Sequence, residues 1–492
     1  MRKSVVFTVV AIAVAAWFLA ERFNKPREFT TTSPEAYELY LKGDQALNAY
    51  QWLRAEHFLQ EALQIDPSFA MAQAALAEVY TAYSTKETVK EAIARADSLT
   101  LLLENETERM LVELRLSRLT SEYRANQDSL LQVLAKRQPK HPLVIVTKAR
   151  RAGENQDAEK AEALWHELLE IDPNYANAYN FLGYLADAQG KYDEAISYLQ
   201  RYAFLAPDLA NPHDSLGEIL MHMGRYEDAE REYRKALEIQ PDFFNSLLML
   251  AQIYIEQGRV KKGVDILEKT RDQIAGTKFE LHVDYMLVNT YYTHKLDKEC
   301  GQACVRFFTS HSEFFDSAHF RSYHLVNNGE FDEARAVHDS LIAAAAEYKW
   351  VKESEKGKKW LERKRNCFEA NFAEKLNELD SAAALWEKCV VETANLPPHE
   401  RNGFKTNYAE VLLKLGRHEE AFTQAGEILS INPNLIRPLM TYVSAAASLG
   451  RYDEARQAME RLDAILANAD PDLPAQATAE NLRSQISRFP SS

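Results

Sequence analysis

Cysteine, proline, glycine and positive charge are all scarce in this chain, and each shortage closes off a class of protein. Four cysteines in 492 residues (Cys300, Cys304, Cys367, Cys389) are too few for a fold built on disulfides, and none precedes Cys300, which excludes a lipid-modified amino-terminal cysteine. Sixteen glycines and sixteen prolines exclude collagen-like and low-complexity compositions, while a hydrophobic share of 46% supplies a packed core. With 58 Lys and Arg against 73 Asp and Glu the formal charge is -15, whereas nucleic acid demands a basic surface that displaces counterions; no nucleic-acid partner is expected. The chain also lacks His-Glu-x-x-His, a glycine-rich phosphate loop and Gly-x-Ser-x-Gly. No nucleophile, base and orienter can be named, so no enzymatic activity, catalytic residue, cofactor or metal is expected.

The one long apolar run stands at the amino terminus. Arg2 and Lys3 precede Ser4 to Ala20, SVVFTVVAIAVAAWFLA, which ends at Glu21-Arg22. These residues just reach the length of about 17–20 that a membrane-crossing helix needs, with Trp17 near one interface. A cleaved secretory signal ending at Ala13-Val14-Ala15 competes with the anchor, although cleavage would leave apolar AWFLA at the new end. Arg22, Lys25 and Arg27 balance Arg2 and Lys3, so orientation rests on the short basic start, which reads as an export signal. The expectation is a signal-anchor helix over 1–20, a tether over 21–34, and a single-pass protein of the inner membrane whose body is periplasmic or otherwise extracytoplasmic.

From Ala176 to Thr277 one unit is written three times: NAYNFLGYLADAQGKYDEAISYLQRYAFLAPD, NPHDSLGEILMHMGRYEDAEREYRKALEIQPD and the looser SLLMLAQIYIEQGRVKKGVDILEKT. Gly190, Gly224 and Gly258 recur every 34 residues, as do Pro139, Pro173, Pro207 and Pro241. Leu182/Gly183, Leu216/Gly217 and Leu250/Ala251 mark a first helix, the glycine a turn, and Ala195, Ala229 and Gly263 a second helix. This pattern resembles the tetratricopeptide repeat (TPR) family. The start of the array, Ala-Tyr-Glu-Leu-Tyr-Leu-Lys-Gly, is also similar to periplasmic repeat segments that follow a membrane helix in some bacterial cyclases and transcription regulators.

The resemblance implies an all-α fold, an α-solenoid in the form of a TPR superhelix. Dividing the array by the 34-residue unit gives about ten helical hairpins. Partly degenerate hairpins are expected over 35–141, a regular array over 142–277, divergent hairpins over 278–400, a terminal pair over 401–470 and a capping helix in 471–492. In the divergent stretch aromatic residues gather, among them Tyr285, Tyr292 and Tyr323, as a thicker core or as a pocket for a partner's anchor residue. The cap is marked by one apolar stripe of Ala475, Ala479, Leu482, Ile486 and Phe489.

The family further implies that first helices line an inner face. On the side opposite the apolar stripe these helices carry Asn177, Asn180, Tyr184 and Asp187, then Asn211, Asp214, Glu218 and His222, then Asn245 and Gln252. Amides can bond a peptide backbone and carboxylates favour a cationic segment, so these ten residues are the candidate contacts; a merely solvated face is the alternative. A scaffold that binds protein segments and assembles a complex is the expected function, with a sensory domain for a small ligand or peptide as the alternative. Cys300 and Cys304 share a helix face, and Cys367 and Cys389 can face each other across a hairpin.

Overall fold

The computed structural model describes residues 28–487, apart from 49–50, 85, 120–125, 156, 275–279, 295, 311–314 and 395. Every regular element among the described residues is a helix. The helices follow one another in twelve pairs, from Pro34–Asn48 with Trp52–Ile65 to Ile436–Ser448 with Tyr452–Leu466. A short helix, Lys349–Glu353, precedes the tenth pair, and Pro474–Ile486 closes the series. The closing helix buries Ala475, Ala479, Leu482 and Ile486, the stripe expected of a cap, while Arg483 on its other side pairs with Asp463 at 2.6 Å.

Local chemistry explains why each pair turns where it does. Gly190, Gly224, Gly258, Gly416 and Gly450 all adopt φ between 71° and 74°, the left-handed conformation that ends a helix without a Cβ penalty. The amide of the residue after the turn glycine then reaches back to a carbonyl five residues earlier, as in Lys191 to Ala186 (2.8 Å), Arg225 to Leu220 (2.9 Å) and Arg259 to Tyr254 (2.8 Å). Second helices pack through one stripe: Tyr226–Ile239 buries Tyr226, Ala229, Tyr233 and Ala236. One of the described pairs, Glu280–Thr293 with Asp297–Ser310, carries no turn glycine and was not marked by the sequence; there Leu296 N–H still bonds Tyr291 O at 2.9 Å.

One expectation is corrected. Among the described residues no helix is long and apolar enough to cross a membrane, and the run expected to do so, residues 4–20, lies outside the described residues. The expected single-pass anchoring and extracytoplasmic placement therefore do not stand. Length combined with apolarity was the warrant for the anchor, and no helix among the described residues combines the two: the longest, Glu355–Lys375, is rich in charge.

The helices form two compact units, residues 1–185 with 201–209, and 186–200 with 210–492. In the N-terminal unit Ala70–Tyr83 is the central helix. It buries Ala70, Ala72, Ala74, Ala75 and Ala77, small side chains that let several neighbouring helices approach at once. Beside it Arg115, 5% exposed, pairs with Asp44 and lies 3.8 Å from Glu78, which Arg118 holds at 2.8 Å. Burial alone would push Glu78 up, but Arg118 and Arg115 keep its carboxyl below the usual range.

In the C-terminal unit the last hairpins return to earlier turns. Three successive turns, at Gly190, Gly224 and Gly258, meet Pro398, Asn432 with Pro433, and Ala469 with Leu473. The second and third meetings are hydrogen-bonded: Asn434 Nδ2 donates to Gly224 O (2.8 Å), Asp470 N–H to Gly258 O (2.9 Å), and Lys261 N–H to Asp470 Oδ2 (2.7 Å). Gly224 is required twice over, by its positive φ and because a Cβ would overlap the Asn432 side-chain oxygen.

Candidate functional site

The first helices of the divergent hairpins enclose a cavity of 480 Å³ in the C-terminal unit. Tyr285, Tyr292, Tyr323, Trp386 and Phe404 form its aromatic walls, and Tyr292 and Tyr323 meet edge to face at 5.6 Å. Glu280–Thr293, Phe315–Asn327, Glu355–Lys375 and Pro398–Lys414 each contribute one side, because each turns its sequence-divergent face inward. Asn371 Nδ2 donates to Tyr292 Oη at 2.6 Å and fixes that ring. Two buried polar atoms bordering the cavity, Trp386 Nε1 and Asn327 Oδ1, bond to no group among the described residues. An unpaired N–H donor and an unpaired carbonyl acceptor in an apolar cavity are what an incoming polar group would satisfy. Arg363 and Lys364 stand at the rim together with Glu400.

The cysteines lie around the same cavity. Cys300, Cys304 and Cys367 border it, and all four cysteines are buried and in the thiol form. Cys300 and Cys304 sulfurs are 3.9 Å apart on one helix face, while Cys367 and Cys389 meet across their hairpin at 2.9 Å.

The ten inner-face candidates behave differently from a solvated groove. Asn177, Asn180, Asp187 and Asp214 are buried, and Asn245 alone of the ten is exposed. Several bond to the next first helix instead of facing outward. Asn245 Nδ2 and Ser246 Oγ donate to the two oxygens of Asp214 at 2.6 and 2.7 Å, and burial still pushes Asp214 up to about 6 despite those bonds. Asp187 lies 3.2 Å from His222 Nδ1. Gln252 donates to Glu256 on its own helix at 2.6 Å. Tyr184, Asn211 and Glu218 are half-buried along the same faces. Asn177 and Asn180 keep their side-chain oxygens unpaired among the described residues.

Sequence reasoning missed His399. It stacks on His222 with ring centroids 3.5 Å apart and places its Nδ1 3.7 Å from Asp187. Burial lowers the His399 pKa to about 4, and His222 adds to the effect, so the ring is neutral at neutral pH. No local pattern around Pro397-Pro398-His399 could have signalled a partner so far back in the chain.

A second site belongs to the N-terminal unit, whose own chain covers it. Thr30 donates through its amide and hydroxyl to Glu108, each at 2.6 Å; Thr31 Oγ1 and Thr32 N–H reach Asp66 at 2.6 and 2.7 Å; His141 lies 2.8 Å from Glu28. Burial would raise Asp66, but the bonds from Ser68, Thr31 and Thr32 hold it down to about 2. Phe29, 5% exposed, packs edge to face on Tyr40 at 5.7 Å. Residues 28–33, inside the span expected as a tether, thus form a strap across the ends of successive hairpins.

Antiparallel helical pairs with left-handed glycine turns and stacked neighbours define an α-solenoid. Two models of the tetratricopeptide repeat match, over residues 146–210 and 220–279, so this stretch of the chain is built of TPR units. No curated protein matches it. Among solved structures it is similar to the Cut9–Hcn1 hetero-tetramer of the APC/C, at 15% identity over 83% of this chain and 84% of that one, with a TM-score of 0.41. A mutant O-GlcNAc transferase from Thermobaculum terrenum matches at 23% identity and TM-score 0.26 over 27% of this chain, and the match spans only 26% of that protein.

Proposed function

We propose that this chain is a protein-binding scaffold that recognises without transforming, taking a partner segment into the C-terminal unit and seating one apolar or aromatic anchor side chain in the cavity. The observation that supports it most is the aromatic enclosure bordered by the unpaired Trp386 N–H and Asn327 carbonyl. A partner's backbone amide satisfies both atoms while its side chain fills the apolar volume, the arrangement that concentrates binding energy in a few desolvated contacts. Arg363 and Lys364 at the rim favour an acidic flank on the segment. The strap of the N-terminal unit is an intramolecular instance of the same mode, a short non-helical segment laid over hairpin ends with an aromatic anchor, Phe29.

Gly403 provides the test. It lines the cavity, and a Cβ there meets nothing within 4 Å. Gly403→Leu fills the cavity and, as a helix-interior change away from glycine, raises stability by up to about 1 kcal/mol. Panning a displayed peptide library on the full chain is expected to select segments sharing one large apolar residue, which bind the wild type and lose Gly403→Leu. Peptides that bind both proteins equally would remove the cavity from the proposal.

A volume of 480 Å³ also falls within the range of about 300–1,000 Å³ usual for small-molecule sites, which favours the ligand-sensing reading as the second. Under it, panning yields no consensus, and a metabolite screen finds a compound that raises the melting temperature of the wild type but not of Gly403→Leu.

A further inference from the structure

Three turns of the C-terminal unit meet later hairpins, and the second and third of those meetings are tied by the hydrogen bonds of Asn434, Lys261 and Asp470. At the first, where Gly190 approaches Pro398, the groups brought together are a carboxylate and two imidazoles. Asp187 comes from the end of Ala176–Ala188, His222 from the end of Ala210–His222, and His399 from the start of Pro398–Lys414. One ligand atom from each lies within 4.8 Å of the other two.

We propose that Asp187, His222 and His399 form a binding site for a divalent transition-metal ion of the zinc class, and that the ion fastens this first meeting as hydrogen bonds fasten the other two.

The geometry is close to what such an ion requires. Metal–ligand distances of about 2.0–2.2 Å in a tetrahedron place ligand atoms about 3.3–3.6 Å apart. Asp187 already stands close to both rings, its Oδ1 3.2 Å from His222 Nδ1 and its Oδ2 3.7 Å from His399 Nδ1. His399 Nδ1 is buried and has no hydrogen-bond partner among the described residues, so a ligand atom is available without breaking a bond. Two nitrogens and one carboxylate select zinc, cobalt, nickel or copper over calcium and magnesium, which take oxygen ligands, and leave a fourth position for water.

The surroundings fit a metal site as well. Tyr192 Oη is buried and unpaired among the described residues, close enough to Asp187 for that carboxylate to raise its pKa, which burial already pushes up to about 12. Arg401 is the other charged group facing this corner. Asp187 itself is 4% exposed, a buried carboxylate whose charge a divalent ion between it and the two imidazoles would offset.

The full chain is titrated with zinc chloride by calorimetry, alongside His222→Gln and His399→Gln, with circular dichroism to establish that both variants are folded. One equivalent is expected to bind the wild type, and each Gln variant is expected to weaken binding by more than the ~10–100-fold that loss of an outer-shell partner costs. Zinc is further expected to raise the melting temperature of the wild type and leave both variants unmoved. Cobalt distinguishes this site from the cysteines: a visible spectrum without sulfur-to-cobalt charge transfer supports it. No stoichiometric binding, binding equal in wild type and both variants, or a thiolate band that survives His399→Gln overturns the proposal.

Discussion

The two units use the same helical hairpin to opposite ends. In the N-terminal unit the hairpin ends are covered by the chain's own residues 28–33, which bond to Asp66 and Glu108 and bury Phe29. In the C-terminal unit the inward faces enclose an aromatic cavity whose bordering Trp386 N–H and Asn327 carbonyl remain unpaired. Polar groups in the first unit are spent on holding an occupant, and in the second on lining a space for one. The difference teaches that a repeat sets the scaffold while its occupant is decided by whichever segment lies nearest.

The largest change to that contrast comes from Arg115→Ala. It leaves Asp44 without its cationic partner and Glu78 with Arg118 and the more distant Arg150, and breaking a buried pair of this kind costs about 3–5 kcal/mol. Chemical denaturation should show an early loss, with hydrogen exchange rising over 70–116 and not over 398–466; equal rises in both regions would end the view that the two cores are separable.

Phe29→Ala comes next. Removing a buried phenylalanine costs about 3 kcal/mol in a rigid core, and less where the segment can lift away. The strap should then open to limited proteolysis between residues 28 and 33 while the cavity of the C-terminal unit keeps its ligands. Persistent protection would show that Glu108 and Asp66 alone retain the strap.

Gly224→Ala strains a left-handed position and collides with Asn432, at a cost of about 1–3 kcal/mol. Its effect belongs to the C-terminal unit, so exchange should rise around 432–434 and leave the strap unchanged.

The smallest effect opposes two carboxylates across the pair of units. Asp66 is held at about 2, below its model-compound value of 3.8, so its stabilising contribution is present above pH 4 and lost as the pH falls through 2. Asp214 is raised to about 6, so its contribution is present below about pH 4 and lost as the pH rises through 6. Asp214→Asn should therefore stabilise by about 1 kcal/mol at pH 7, once the loss of charged bonds from Ser246 and Asn245 is offset, and by nothing at pH 4. Melting temperatures of the variant that run parallel to wild type across that range would contradict the sign.

Much of the fold was legible. Glycines at a spacing of 34 placed the turns, small residues such as Ala195 and Ala229 placed the close approaches, and the stripe from Ala475 to Ile486 placed the cap. The pair Glu280–Thr293 and Asp297–Ser310 escaped because it carries no turn glycine to announce it. The site was less legible. Polarity at Asn177, Asn180, Asp187 and Asp214 suggested groove contacts, yet these side chains are buried, since a polar residue on a first helix can serve the neighbouring helix as readily as a ligand. Among Tyr285, Tyr292 and Tyr323 a thicker core was the first reading and a pocket the alternative; the cavity lies there, but Trp386, Asn327 and His399 carried no local sign of their roles.

Taken alone, the amino-acid order determined the hairpin, because turn chemistry, helix stripe and small-residue contact all act within a few dozen residues. Tertiary structure alone decided which polar faces are covered, which enclose a space, and that His399 comes to rest against Asp187 and His222. Those outcomes depend on small rotations accumulated from pair to pair, and no single repeat contains that sum.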